Sequence, residues 1–227
     1  PTRRSSDLNH NGKGGPPARS ASMSGPPVLL AGPTATGKSA LALALARETG
    51  AVVINADSCQ VHDGWRILTA RPTPAEEAEV PHRLYGHVPL GRAHSVGDWL
   101  AAMRAELGAA RRAGRRAVVV GGTGLYFHAL TSGLADIPDV PAEIRAAGEA
   151  RLAALGRADF AKELAARDPE TAAGLDLANP RRVLRAWEVL EATGQGLARW
   201  QAATPPPDLP PDRAVRAVLA LPRDMLG

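Results

Sequence analysis

The sequence contains a single cysteine, Cys59, and no long apolar run. One cysteine forms neither an internal disulfide nor a cysteine-based zinc site, and the default expectation is a reducing, cytoplasmic setting. A membrane-spanning helix needs about 18 or more consecutive apolar residues, so we expect no membrane partner. These absences exclude disulfide-stapled scaffolds, cysteine-based zinc modules and membrane-spanning helices.

Outside the first 22 residues, basic and acidic residues nearly balance. The formal net charge is +4, but residues 1–22 hold four basic residues and one acidic residue. Global charge is therefore no evidence for nucleic-acid binding, and only local clusters can be. Residues 1–22 are polar and aperiodic, and we interpret them as a disordered or non-native leader before Met23. A basic nucleic-acid-binding arm is the alternative.

The segment Gly32–Ser39 reads GPTATGKS and fits the phosphate-binding loop of Gly, four residues, Gly-Lys and Ser or Thr. An apolar run precedes it and an Ala- and Leu-rich stretch follows, which is the strand–loop–helix order that the motif requires. Successive N–H groups and the helix N-terminus form an anion cradle. Lys38 supplies charge for an outer phosphate, and the Ser39 hydroxyl can ligate Mg²⁺. The motif predicts a phosphate site but names no reaction.

Short Val, Ile and Leu runs alternate with Ala- and Leu-rich stretches, which is typical of a parallel sheet flanked by helices. Strands are predicted at 28–31, 51–56, 117–120 and 215–221, and helices at 38–49, 98–112 and 180–193. Residues 60–95 are rich in loop signals and lack periodicity. From 141 to 173 the composition shifts to Ala, Arg and Glu, which indicates a helical insertion that forms a separate lobe.

Two polar residues follow predicted strands. Ligands of open α/β sheets bind outside the carboxyl ends of the strands, so Asp57 is expected beside the phosphate loop, where a carboxylate can accept a proton. An indirect Mg²⁺ contact or a helix cap is the alternative. Thr123 is expected at the same site, with a helix N-cap as its alternative. The strand before Thr123 ends in Gly121 rather than in an acidic residue, which disfavours an ATPase.

Three arginines, Arg181, Arg182 and Arg185, lie at the start of a predicted helix. The helix macrodipole favours acidic residues at that end, so basic residues there need another explanation. Binding of a phosphate backbone is our hypothesis, and a solvated face is the alternative.

Six motifs resemble those of the bacterial tRNA dimethylallyltransferases, also called tRNA isopentenyltransferases. In chain order they are GPTATGKS at 32–39, NADSCQV at 55–61, TARPT at 69–73, VPH at 80–82, VGGTGLY at 120–126 and NPRRVLRA at 179–186. The matches cover about residues 26–225. Two positions depart from the family pattern, where His62 replaces a tyrosine and Leu68 replaces a glycine.

The resemblance implies transfer of a dimethylallyl group from dimethylallyl diphosphate to the exocyclic amine of the adenosine beside the tRNA anticodon, with Mg²⁺ as cofactor. It also implies a P-loop NTPase-like parallel sheet flanked by helices, with an all-helical insertion lobe. The corresponding division of the chain is a leader at 1–22, a catalytic core at 23–135, a tRNA-binding insertion at 136–178 and a return to the core at 179–227. Family members continue further, so we expect a C-terminally truncated chain.

The resemblance also implies roles for individual residues. The catalytic set is Asp57, Thr34, Lys38 and Ser39, and Ser39 is the metal ligand. The diphosphate contacts are Gly32, Pro33, Thr34, Ala35, Thr36, Gly37, Lys38 and Ser39. The tRNA contacts are Asp57, Ser58, Cys59, Gln60, Thr123, Arg145, Arg181, Arg182, Val183, Leu184 and Arg185. The expected partners are the tRNA anticodon stem-loop and dimethylallyl diphosphate, and a monomer is expected.

Three other functions stay open at this point. A phosphate-loop kinase of a small metabolite is the main alternative, although no lid arginines are apparent. A non-catalytic RNA-binding module would be indicated by an impaired loop, whereas Lys38 and Ser39 are intact. A prenyltransferase acting on free nucleotides is disfavoured by the helical insertion and by the three arginines at 181–185.

Overall fold

A five-stranded parallel sheet forms the centre of the computed structural model, which describes residues 25–220. The strands are β1 (Val28–Ala31), β2 (Val52–Asn55), β3 (His82–Arg83), β4 (Ala117–Gly121) and β5 (Val215–Val218). Their order across the sheet is β3-β2-β4-β1-β5, and every pairing is parallel. The predicted parallel sheet is confirmed, while the interpretation of residues 1–22 lies outside the described residues.

Helices cover both faces of the sheet. Those around it are α1 (Lys38–Thr49), α2 (Pro74–Glu79), α3 (Val96–Arg112) and α4 (Gly124–Ser132). Alternate residues of β1 enter different hydrophobic clusters, because successive side chains of a strand point to opposite faces. Leu29 packs in the cluster that contains α3 and α4, and Leu30 packs in the cluster that contains α1. Burial on both faces explains why the central strands are continuous apolar runs.

The segment 60–95, predicted as loop, contains two short elements that sequence analysis missed. Thr73 and Glu76 form a reciprocal capping box at the start of α2, a pattern that fixes a helix N-terminus. The strand β3 has two residues, which pair with Val53 and Ile54 of β2. A strand this short leaves no periodic signal in the sequence, and so only the structure reveals it.

Four further helices form a lobe with its own hydrophobic cluster. They are α5 (Ala142–Arg167), α6 (Pro169–Gly174), α7 (Pro180–Thr193) and α8 (Leu197–Ala202). Within α5 the backbone leaves helical geometry at Gly156, whose φ is 74°, so α5 consists of two helical segments. Phe160 of α5 packs with Val183 and Trp187 of α7. This cluster therefore crosses position 178, where sequence analysis placed the boundary between the insertion and the catalytic core.

The carboxyl ends of β1, β2 and β4 lie at one edge of the sheet, and the loops that begin there carry the motifs. The segment 32–37 follows β1, 56–60 follows β2 and 122–123 follows β4. This edge is where open α/β sheets bind ligands. No helix within residues 25–220 is both long and apolar enough to span a membrane.

Candidate functional site

The phosphate loop is held in shape by its own side chains. The Thr36 hydroxyl donates to the carbonyl of Pro33 at 2.9 Å, and the Lys38 ammonium group donates to the same carbonyl. Gly37 has a φ of 82° just before α1, a left-handed conformation that favours glycine. A Cβ at Gly32 would overlap the carbonyl oxygen of Leu219. Both motif glycines are therefore required by the backbone.

A cavity of about 290 Å³ opens between this loop and the end of β2. Its lining comprises Thr34, Ala35, Thr36, Gly37, Lys38, Ser39, Ala40, Asp57, Gln60, Thr69, Ala70, Tyr85, Val120 and Gly121. The structure thus places Asp57 in the same cavity as the phosphate loop, where strand topology predicted it. We refer to this space as the phosphate cavity.

A larger cavity, of about 620 Å³, lies at the opposite edge of the sheet. Its lining includes Pro27 and Ala117, which are at the amino ends of β1 and β4. Ligand sites of parallel α/β sheets are found at the carboxyl edge, and the motifs are also there. The smaller phosphate cavity is therefore the candidate site.

Lys38 and Asp57 place opposite charges at the phosphate cavity. Partial burial lowers the pKa of the Lys38 ammonium group, and the negative charge of Asp57 acts in the opposite direction. Burial disfavours a charged group because it removes water from it. An anion that enters beside Lys38 replaces part of the missing solvation, so the cavity is suited to an anionic ligand.

The buried side chain of Asn55 fixes the turn that carries Asp57. Its Oδ1 accepts the backbone N–H of Asp57 at 2.9 Å, and its Nδ2 donates to the Asp57 carbonyl at 2.9 Å. The same Nδ2 donates to the carbonyl of Leu84 at 3.1 Å. Asp57 in turn accepts the N–H of Cys59 through Oδ1 at 2.9 Å. Sequence analysis missed this role of Asn55, although a polar residue that ends an apolar strand is a usable signal.

Thr123 joins the loop after β4 to the loop after β2. Its Oγ1 accepts the backbone N–H of Ser58 at 2.9 Å and donates to the Ser58 hydroxyl at 3.2 Å. Although Thr123 stands at the N-cap position of α4, its side chain makes no capping hydrogen bond. The alternative that Thr123 serves as a helix cap is therefore wrong for its hydroxyl.

Of the remaining predicted contacts after β2, only Gln60 lines the phosphate cavity. Ser58 and Cys59 are exposed, whereas the amide of Gln60 is used internally. Its Nε2 donates to the carbonyls of Thr69 and Ala70 at 2.7 and 3.2 Å. Gln60 thus fixes one wall of the cavity.

The other predicted RNA contacts lie on the helical lobe, and none of them lines the phosphate cavity. The arginines at 145, 181, 182 and 185 are exposed. Asn179 caps α7 by accepting the N–H groups of Arg181 and Arg182 at 3.1 and 3.3 Å. Val183 and Leu184 are only 1% and 8% exposed, so their side chains hold α7 in the lobe and the arginines form its exposed surface.

Oxygen atoms suited to Mg²⁺ are present at the phosphate cavity. Across residues 25–220, no three His, Cys, Asp or Glu side chains come together in a way that would hold a metal ion. Mg²⁺ at phosphate sites takes only one or two protein oxygens and fills its shell with phosphate and water. The Ser39 hydroxyl and the Asp57 carboxylate, which line the same cavity, fit that requirement.

Family models match most of the chain. A model described as IPP transferase matches residues 60–227, and one described as Isopentenyl transferase matches residues 27–87. Together they contain the phosphate loop, the Asp57 turn and the helical lobe.

Curated relatives match the same region. The chain is 59% identical over 204 residues to the tRNA dimethylallyltransferase of Dinoroseobacter shibae, covering 88% of this chain and 66% of that protein. It is also 59% identical over 193 residues to the tRNA dimethylallyltransferase of Cereibacter sphaeroides, covering 85% of this chain and 59% of that protein. The chain therefore spans roughly three fifths to two thirds of the length of these relatives.

One solved structure has a similar fold. It is a eukaryotic dimethylallyltransferase acting on tRNA, with a TM-score of 0.70 and 24% sequence identity, covering 89% of this chain and 50% of that chain. At this identity the likeness concerns the fold. The parallel sheet flanked by helices, which is a P-loop NTPase-like architecture, agrees with this likeness.

Proposed function

The chain belongs to the IPP transferase family, and on that basis we propose that it transfers a dimethylallyl group from dimethylallyl diphosphate to tRNA. The acceptor is the exocyclic amine of the adenosine beside the anticodon. One geometric observation carries this proposal. The phosphate loop and Asp57 line a single cavity, so a diphosphate bound by the loop would lie beside a side chain that can accept a proton.

The proposed reaction is a displacement at an allylic carbon. The adenosine amine forms a bond to that carbon, the bond from the carbon to the diphosphate oxygen breaks, and the amine proton passes to Asp57. Negative charge grows on the leaving diphosphate. Lys38 and the N–H groups of the phosphate loop stabilise that charge where it develops. The loop would therefore hold the phosphates of a prenyl donor.

Recognition of the RNA follows from the same arrangement. The target base has to leave the stack of the anticodon loop to reach a group inside a cavity. The exposed residues Ser58 and Cys59, and Thr123, which is hydrogen-bonded to Ser58, would contact the RNA around this base. The arginines of α7 would bind phosphates of the anticodon stem. We further propose a cytoplasmic monomer, because the tRNA substrate is cytoplasmic and one chain carries both loops.

Magnesium is part of the proposal. The ion would be held by the Ser39 hydroxyl and the donor phosphates, with Asp57 near enough in the cavity to contact its water shell. When bound, Mg²⁺ would neutralise part of the diphosphate charge. Lys38 then serves as the second source of positive charge, on the protein side.

Competition calorimetry in Mg²⁺ with dimethylallyl diphosphate and ATP tests the donor. We expect tighter binding of the prenyl diphosphate, and loss of that binding in Lys38→Ala. Incubation with labelled dimethylallyl diphosphate and either tRNA or AMP identifies the acceptor, with the longer Dinoroseobacter shibae relative as positive control. Tighter binding of ATP together with transfer of its γ-phosphate would refute the prenyltransferase and identify a kinase.

A further inference from the structure

Tyr85 lies where two cavities meet. Besides the phosphate cavity, a smaller space of about 80 Å³ lies next to Ser39. The two cavities share Ser39, Ala70, Tyr85 and Val120. We call the smaller space the inner cavity. Tyr85 is the one aromatic residue in the shared wall, and neither the motifs nor the family resemblance assigns it a role.

The backbone around Tyr85 is fixed by residues that also fix the site. Asn55, which holds the Asp57 turn, donates to the carbonyl of Leu84 at 3.1 Å. The N–H of Gly86 donates to the carbonyl of Gln60 at 2.9 Å. The Tyr85 ring meets the His82 ring edge to face, with 5.5 Å between ring centroids. The position of Tyr85 is therefore fixed relative to Asp57 and Gln60.

Arg71 also lines the inner cavity. The Nε of Arg71 is buried and makes no hydrogen bond within the described part of the chain, although Nη1 donates to the carbonyl of His62 at 3.2 Å. Glu76 also lines this cavity, but its Oε2 already accepts the N–H and hydroxyl of Thr73 at 2.7 and 2.8 Å. A buried donor without a partner is costly, so the polar groups beside the inner cavity are not fully satisfied by the protein.

The Tyr85 hydroxyl remains a donor throughout the physiological pH range. Burial raises its pKa, and the negative charges of Asp57, Glu77 and Glu76 raise it further. The hydroxyl makes no hydrogen bond to another side chain or to the backbone among residues 25–220. A neutral donor of this kind suits a phosphate oxygen, which accepts strong hydrogen bonds.

We propose that Tyr85 binds the diphosphate of the donor, its hydroxyl donating a hydrogen bond to a phosphate oxygen on the Ser39 side of the phosphate cavity. The proposal rests on the proposed function for the identity of the donor, and on the shared wall of the two cavities for the contact itself. Tyr85 is thus a binding residue that acts together with Lys38 on the same diphosphate.

Calorimetry with inorganic pyrophosphate and Mg²⁺ tests the contact in Tyr85→Phe. A hydrogen bond to a charged group is worth enough that we expect about tenfold weaker binding. Tyr126→Phe is the matched control, because Tyr126 is buried against Trp99, with 4.2 Å between the centroids of the stacked rings, and does not line the cavity. Thermal unfolding of both variants checks that the fold is intact.

Steady-state transfer in the longer relative, carrying the same substitution, separates binding from chemistry. A raised KM for dimethylallyl diphosphate with kcat nearly unchanged supports the proposal. Unchanged pyrophosphate affinity in Tyr85→Phe overturns the proposal. A decrease in kcat alone also overturns it, because it would indicate that the hydroxyl contacts Asp57 rather than the diphosphate. If the wild type instead transfers the γ-phosphate of ATP while Tyr85→Phe weakens pyrophosphate binding, the prenyl function fails and the phosphate contact stands.

Discussion

The hydroxyl of Thr123 accepts the backbone N–H of Ser58 at 2.9 Å. This hydrogen bond ties the loop after β4 to the turn that carries Asp57, across the edge where the phosphate cavity opens. Thr123 is itself held by the backbone, since its N–H donates to the carbonyl of Ala56 at 3.2 Å. The position of Asp57 therefore depends on a residue that is distant in the sequence and follows a different strand.

Replacement of Thr123 by valine tests this dependence. Valine keeps the shape of the side chain but accepts no hydrogen bond, and one neutral hydrogen bond is worth about 1 kcal/mol. We expect prenyl transfer to fall about fivefold on that basis, with Thr123→Ser retaining most of the activity. Single-turnover kinetics measures the effect, and equal rates for the valine and serine variants would contradict it.

Asp57→Asn tests the proton acceptor. The amide oxygen can still accept the N–H of Cys59, so the turn is preserved while the base is removed. Removal of a general base costs about 10²–10⁴ in rate, and we expect a drop of that size in kcat. Filter binding of tRNA should change by less than about tenfold, because a typical hydrogen bond contributes only about 0.5–1.5 kcal/mol and the asparagine amide can still form one. A parallel decrease of tRNA binding and turnover would make Asp57 a docking residue.

Arg182→Ala and Arg185→Ala test the RNA-binding surface of α7. For each phosphate that an arginine no longer neutralises, the slope of log K against log salt should decrease by about one unit. Affinity for dimethylallyl diphosphate should not change. Arg199→Ala is the control, since Arg199 is exposed on the same lobe and its Nε lies 3.3 Å from Oε2 of Glu170. A salt slope that stays constant in all three variants indicates a solvated face.

His87 and His94 should make the fold sensitive to mild acid. Their rings are 5.3 Å apart, centroid to centroid. Partial loss of solvation lowers the pKa of each below 6.5, and the charge of His94 acts in the same direction on His87. The unfolded chain then binds more protons, so the free energy of unfolding decreases as the pH falls below 6.5.

Denaturant unfolding between about pH 7 and pH 5 measures this decrease. His94→Gln should flatten the pH dependence, because an amide takes up no proton. His128→Gln, at an exposed position on α4, should leave the dependence as in the wild type. An equally steep dependence in His94→Gln would show that other groups cause the acid sensitivity.

The main sheet was predictable because each of its central strands is a continuous apolar run, and continuous runs are what burial on both faces requires. β3 was not predictable, since a strand of two residues is too short to show an alternating pattern. The break in α5 at Gly156 was also missed, because a single glycine is tolerated inside many helices. A helical insertion was predicted from composition, but its predicted end at 178 leaves out α7, whose Val183 and Trp187 share a cluster with Phe160 of α5.

Topology alone was enough to predict that Asp57 lies beside the phosphate loop. Asp57 follows a buried parallel strand, and the ends of such strands meet at one edge. Asn55 and Tyr85 were missed because their roles depend on side-chain hydrogen bonds and on a cavity wall, neither of which has a sequence period. Thr123 does not line the phosphate cavity, and the hydrogen bonds of its hydroxyl to Ser58 required coordinates.

Gly121 at the end of β4 has a consequence for the evolutionary paths open to this chain. A Cβ at that position would overlap the carbonyl of Ala56, so even alanine requires the backbone of the Asp57 turn to move. Phosphate-loop proteins that hydrolyse nucleotides use an acidic residue of a neighbouring strand to hold their magnesium ion. A single substitution that introduced such an acid here would displace Asp57, the proposed proton acceptor, before it completed a new site. A change toward nucleotide hydrolysis at this position would therefore disturb the Asp57 turn first.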